Sequence, residues 1–194
     1  MRIVGGRHRG RRLQAPPGEA VRPTSDRARE ALFNILSHGN FAANGSPFAG
    51  QKVLDAFAGT GAFGLEALSR GADEAAFIED NRDALAALRR NIATLDEDEQ
   101  AHVVRGDATK PPRAPFECAV AFLDPPYGSG LAGPALIALA ASHWLTQRAL
   151  AVVETAAGEA FDPPAGFVLV DARVYGAARL VFLRRAPAAD GEKP

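Results

Sequence analysis

The stretch VLDAFAGTGAFGLEALSRG, residues 53–71, decides the fold. VLDAFA is a short apolar run suited to a buried strand, GTGAFG is a glycine turn, and GLEALSRG reads as a helix closed by Gly71. Strand, glycine turn and helix in that order open a βαβ unit of a parallel sheet. The alternation continues outward. EAAFIE (74–79) is a second strand, and NRDALAALRRNIATL (81–95) is a helix with Leu85, Leu88, Ile92 and Leu95 on one stripe. AHVVRGD (101–107) and CAVAFLD (118–124) are further strands, GPALIALAASHWL (133–145) a helix, and ALAVVET (149–155) a fifth strand. GFVLVDARVYG and ARLVFLRR are joined by a tight Gly-Ala turn and so form an antiparallel hairpin. The expectation is an α/β fold: a doubly wound, Rossmann-like, mostly parallel seven-stranded sheet with a C-terminal antiparallel hairpin, plus a small N-terminal hairpin and helix.

That extension is read from MRIVGGRHRGRRL, a short glycine-turned arm closed by Pro16 and Pro17, and from RPTSDRAREALFNIL (22–36). The latter is a helix that Thr24 or Ser25 can cap, with Ala28, Leu32, Ile35 and Leu36 on its buried face. Residues 37–50 read as a linker. The division expected is 1–45 for a basic arm and helix, 46–185 for the main domain, and 186–194 for a disordered tail.

The 194 residues are 47% hydrophobic and 23% charged, a globular composition long enough for a core without disulfides. A single cysteine, Cys118, excludes an internal disulfide, and four scattered histidines show no metal-ligand spacing. No apolar run approaches a membrane span and no apolar h-region follows the N-terminal arginines. A cytoplasmic monomer without a metal is expected. The net charge of −1 hides a division: residues 1–30 carry +5 and the rest −6. A basic arm on an acidic body points to a polyanion held at one end of the molecule. Arg2, Arg7, Arg9, Arg11, Arg12, Arg22, Arg27 and Arg29 are the candidate RNA contacts.

The turn matches G-x-G-x-x-G through Gly59, Gly61 and Gly64, and Glu79 follows the first glycine by 20 residues. That spacing places an acid beside ribose hydroxyls, with Asp80 as the neighbouring alternative. Asp55 argues against a dinucleotide, because a carboxylate beside the turn repels a pyrophosphate and suits the cation of S-adenosylmethionine. Asp107 ends the third strand, where it could accept from an adenine amine. At the tip of the fourth strand stand Asp124, Pro125, Pro126 and Tyr127. A carboxylate and a proline-fixed carbonyl supply two acceptors for an exocyclic amine, and the tyrosine ring can stack on an extruded base. A second Asp-Pro-Pro at 162–164 lacks both the tyrosine and a preceding strand, and reads as a loop.

DAFAGTGAFG resembles motif I of class I S-adenosylmethionine-dependent methyltransferases, and DPPY resembles the motif of those that methylate exocyclic amines of nucleobases. With MRIVGGRHRGRRL, RPTSDRAREALFNIL and FIEDNRDAL, the chain resembles the RsmD family over roughly residues 1–185. The resemblance implies transfer of a methyl group from S-adenosylmethionine to N2 of a guanine in 16S ribosomal RNA, within a 30S subunit or assembly intermediate. It implies a cofactor site of Asp55, Phe57, Gly59, Gly61, Glu79, Asp107 and Ala108, and an amine site of Asp124 through Tyr127. The family often has Phe where this chain has Tyr127.

Three rivals remain at this level. An N6-adenine or N4-cytosine DNA methyltransferase shares DPPY, but the chain shows no extra domain for reading DNA. A cofactor-dependent RNA-binding protein without activity would not need an intact DPPY. A nicotinamide oxidoreductase would leave Asp55 and DPPY without a role. Cys118, inside the fourth strand, is expected in the core and not as a nucleophile.

Overall fold

The computed structural model describes residues 1–16, 26–37, 41 and 46–187. Thr24, Ser25, Arg22, half of the expected linker and the tail from 188 lie outside them, as do the side chains of Asp26, Arg27 and Ala28.

The chain runs α1 (Asp26–Leu36), β1 (Lys52–Ala56), α2 (Ala62–Ser69), β2 (Glu74–Glu79), α3 (Arg82–Leu95), β3 (Ala101–Arg105), β4 (Cys118–Leu123), α4 (Ala132–Ala141), β5 (Leu145–Ala156), β6 (Phe167–Tyr175) and β7 (Ala178–Arg185). One seven-stranded sheet has the order β3-β2-β1-β4-β5-β7-β6. The first five of these are parallel, and β7 pairs antiparallel with both β5 and β6. The order reverses between β1 and β4, so the carboxyl ends of these strands open a crevice, the usual ligand position in such sheets.

Both faces are covered, which explains the continuous apolar runs of β1, β2, β4 and β5. Val53, Phe77, Phe122 and Val152 face one core together with Leu65 and Leu88 from α2 and α3. Leu54, Ile78, Leu123 and Val153 face the other, against Leu136, Leu139 and Trp144. Cys118 is fully buried there, and burial pushes its thiol up to about 12, so no thiolate is available. Among the described residues, no helix is long and apolar enough to cross a membrane.

The arm is a hairpin, with Arg2 bridging Arg12 and the Ile3 N–H donating to the Arg11 carbonyl at 2.9 Å. It is built into the first core: Ile3 and Leu13 are buried with Leu32, Phe33 and Leu36 of α1. The Val4 N–H donates to Glu66 at 2.7 Å, and the N–H groups of Arg7 and His8 donate to the Ser69 carbonyl and hydroxyl at 2.8 and 2.9 Å. Buried Glu97, past the end of α3, accepts from Arg7 at 2.6 Å and pairs with His8 at 2.6 Å. Glu97→Ala leaves these two groups without their acceptor and costs on the order of 1–3 kcal/mol. Limited trypsin digestion should then cut at the arm's arginines faster than in the wild type, with a lower Tm.

Candidate active site

The crevice is built from the ends of four neighbouring strands. Asp55 pairs in register with Phe77 on β2 and Phe122 on β4, and Leu123 pairs with Val153. Side chains alternate along a strand, so Asp55, Glu79, Asp124 and Glu154 all lie on the face occupied by Phe77, Phe122 and Val152. Across the sheet they run Glu79, Asp55, Asp124, Glu154.

Asp55 is buried and accepts from the Gly64 N–H at 2.9 Å, one of the donors left unpaired at the start of α2. Burial outweighs that bond and raises its carboxyl to about 7. Glu79 accepts from the Gly59 N–H at 2.7 Å and from the N–H groups of Asp80 and Asn81 at 3.0 and 2.8 Å. It therefore holds the glycine turn to the start of α3, while burial moves it above the ordinary carboxylate range. Of the two acids at 79 and 80, Glu79 is the one built into the crevice.

The three glycines of the turn divide into two kinds. A Cβ on Gly59 meets nothing within 4 Å, so this position borders open space where a ligand can approach the backbone. A Cβ on Gly61 would lie 2.3 Å from Leu88, and one on Gly64 would lie 2.2 Å from the Phe77 ring. Gly61, at φ 82° and the N-cap of α2, turns this direction toward α3 and the core, and its backbone stays the candidate contact for a ligand. Phe57, at φ 61°, turns the chain out of β1 and packs on the second core. Ala108 is buried in that same core, so only its backbone can face the crevice. Asp107 is exposed and accepts from the Thr109 N–H and hydroxyl at 2.8 and 2.7 Å; these bonds cap the turn and hold its carboxyl below the usual range.

At the amine site Asp124 is partly buried, and no hydrogen bond to it forms from within the described residues. Desolvation, and then the charges of Glu154 and Asp55, push its carboxyl well above the usual range. The Pro126 carbonyl accepts from the Ser129 N–H at 3.1 Å, whereas no backbone N–H of the described residues bonds the Pro125 carbonyl. Tyr127 is 46% exposed and donates its hydroxyl to Glu154 at 2.8 Å. Glu154 escaped the reading of the sequence. Its signal was an acid ending an apolar strand run, the same signal as at Asp55 and Asp124.

The basic candidates separate as well. Arg29 is 1% exposed, and its guanidinium donates to the Arg2 carbonyl, so its expected role as a surface RNA contact is corrected to tying α1 to the arm. Arg11 donates to the Thr94 carbonyl at 2.7 Å, and Arg7 reaches Glu97. Arg2, Arg9 and Arg12 are exposed. The arm's tip lies at the C-terminal ends of α2 and α3, the opposite end of the sheet from Asp124.

Two outcomes follow from the carboxylates and glycines. Gly64→Ala should unfold at markedly lower denaturant than Gly59→Ala, because only the former drives a methyl into Phe77. The folded state binds a proton on Asp55 that the unfolded chain has released between about pH 4 and 7, so stability falls as pH rises through that window. The loss at pH 8 is on the order of a few kcal/mol. Asp55→Asn should gain on the wild type as pH rises from 4 to 8 in denaturant melts; parallel curves would remove Asp55 as the cause.

Comparison with known proteins identifies the family and the fold. The sequence profile of the family described as "Conserved hypothetical protein 95" matches residues 1–184. "Ribosomal RNA small subunit methyltransferase D" of Haemophilus influenzae is 36% identical over 181 residues, covering 91% of this chain and 89% of the relative. The protein of that name from Escherichia coli K12 is 39% identical over 158 residues, covering 80% and 74%. The solved structure of "Putative methyltransferase yhhF from Escherichia coli" superposes with a TM-score of 0.80 at 36% identity, over 96% of this chain and 98% of that one. The chain belongs to this family, the RsmD family of ribosomal RNA methyltransferases.

Proposed function

We propose that this methyltransferase modifies N2 of a guanine in small-subunit ribosomal RNA, with S-adenosylmethionine as the donor. The observation that carries this reading is Asp124-Pro125-Pro126-Tyr127 at the tip of β4, beside the strand that bears the glycine turn.

The residues of the turn fit the donor. Open space over Gly59 admits a ligand against the backbone, Glu79 can accept from ribose hydroxyls, and Asp55 offers its charge to a cation. The cost of ionising buried Asp55 falls when a cation stands against it. When bound, S-adenosylmethionine supplies an electrophilic methyl group. Everything else is done by the protein.

Asp124 and the Pro125 carbonyl accept the two protons of the exocyclic amine, which fixes the nitrogen with its lone pair toward the turn. Such an amine is conjugated with the ring and weakly nucleophilic. Orientation in a water-poor site, not a strong base, therefore supplies most of the rate. Tyr127 offers its exposed ring for stacking on the extruded base. Because Glu154 anchors its hydroxyl, Tyr127→Phe loses more than the stacking role alone would suggest. Arg2, Arg9 and Arg12 offer phosphate contacts along the arm, with Arg7 and Arg11 holding it in place. Arg22 and Arg27 stay candidates from the sequence alone.

Asp124→Asn keeps the shape but turns a donor toward the amine. It should bind S-adenosylmethionine with near wild-type affinity in calorimetry and lose at least about a hundredfold in methyl transfer to under-methylated small subunits. Nucleoside mass spectrometry of the wild-type product should give N2-methylguanosine. N6-methyladenosine there would overturn the base assignment, and full activity of Asp124→Asn would overturn the amine site.

A further inference from the structure

The amine-site reading leaves Glu154 unused, although it is 2% exposed and stands at the carboxyl end of β5 among the groups just described. We propose that Glu154 accepts the ring N1–H of the target guanine while Asp124 takes its exocyclic amine, and that the pair selects guanine over adenine and cytosine. The inference rests on the guanine-N2 reading and supplies the base selectivity that Asp-Pro-Pro-Tyr alone lacks.

The placement follows from the sheet. Leu123 and Val153 are register partners, so Asp124 and Glu154 are the next residues abreast on two parallel strands. Both follow the alternation of Phe122 and Val152 and share their face. The strands run β1, β4, β5, so Glu154 lies beyond Asp124 from the glycine turn. An amine held at Asp124 can therefore turn the neighbouring position of its ring edge toward Glu154. A recess opens beside Glu154, lined also by Pro125, Pro126, Tyr127 and Phe161.

The chemistry of the bases supplies the rest. On its pairing edge guanine carries donors at two neighbouring positions, N1–H and the 2-amine. Adenine and cytosine each set a ring acceptor beside the amine. Two acceptors abreast complement guanine alone, and a flipped base is read on that edge. The hydrogen bond from Tyr127 does not exhaust Glu154, because a carboxylate has about four acceptor positions. It also brings the carboxylate to the ring that stacks the base. In the absence of a base the two acids repel, which contributes to the raised Asp124 carboxyl. A partner presenting two N–H groups relieves that repulsion.

The test uses small-subunit RNA carrying the mapped target position either as guanine or as 2-aminopurine. The analogue keeps the exocyclic amine and makes N1 an acceptor. Wild type should favour guanine in kcat/KM by on the order of a hundredfold or more. Glu154→Gln offers an amide donor to N1 and should narrow that ratio at least tenfold. Tyr127→Phe keeps the carboxylate and should retain the wild-type ratio even with slower turnover. Equal use of both substrates by the wild type overturns the proposal without any variant. An unchanged ratio in Glu154→Gln, or equal relaxation in Tyr127→Phe, also overturns it and reduces Glu154 to an anchor for the tyrosine. In those cases N2-methylguanosine from natural RNA leaves the guanine reading standing. A different methylated nucleoside would remove both.

Discussion

The distance between α2 and the sheet governs the rest of the molecule. A methyl group at position 64 would overlap the Phe77 ring, so α2 can lie this close to the sheet only with glycine there, and Gly61 starts the helix at φ 82°, a conformation that side chains rarely adopt. Close approach aims the free N–H of Gly64 at Asp55 and sets the mouth of the turn over β1. It also presents the α2 surface on which the N-terminal hairpin docks through Glu66 and Ser69. Gly64 thus serves packing, while Gly59 and Gly61 serve the backbone conformation of the turn.

Four carboxylates along one edge of a sheet are electrostatically unfavourable, and the structure compensates them unequally. Asp55 and Glu79 sit at the starts of α2 and α3, where unpaired N–H groups and the positive end of the helix dipole favour negative charge. Asp124 has no such support, and it carries burial together with the charges of Asp55 and Glu154. The least compensated acid is the one to which we assign the amine of the substrate. Perturbed groups gather at functional sites for this reason.

The N-terminal segment shows how charge and burial divide within a dozen residues. Arginines alternate with Ile3 and Leu13, so one side of the hairpin enters the core while Arg2, Arg9 and Arg12 stay exposed. Asn91 joins this arm to the glycine turn, accepting from the Gln14 N–H at 2.8 Å and donating to the Thr60 carbonyl at 3.0 Å. The basic surface and the glycine turn are therefore held in one rigid frame.

Apolar runs, glycine punctuation and the alternation of strand and helix were enough to read most strands and helices and a mostly parallel sheet, because these follow from local properties of the chain. Asp55, Glu79 and Asp124 were legible because each acid ends an apolar strand. Register was not legible. Nothing near Glu154 in the chain says that β5 lies beside β4, and 30 residues separate it from Asp124. The direction of a Cβ at Gly61 and the burial of Arg29 were equally out of reach, since both depend on what another element places against them. Local pattern and composition decide which residues form strands, turns and helices; which side chains then share a surface is decided by pairing across the sheet, a contact between residues distant in sequence.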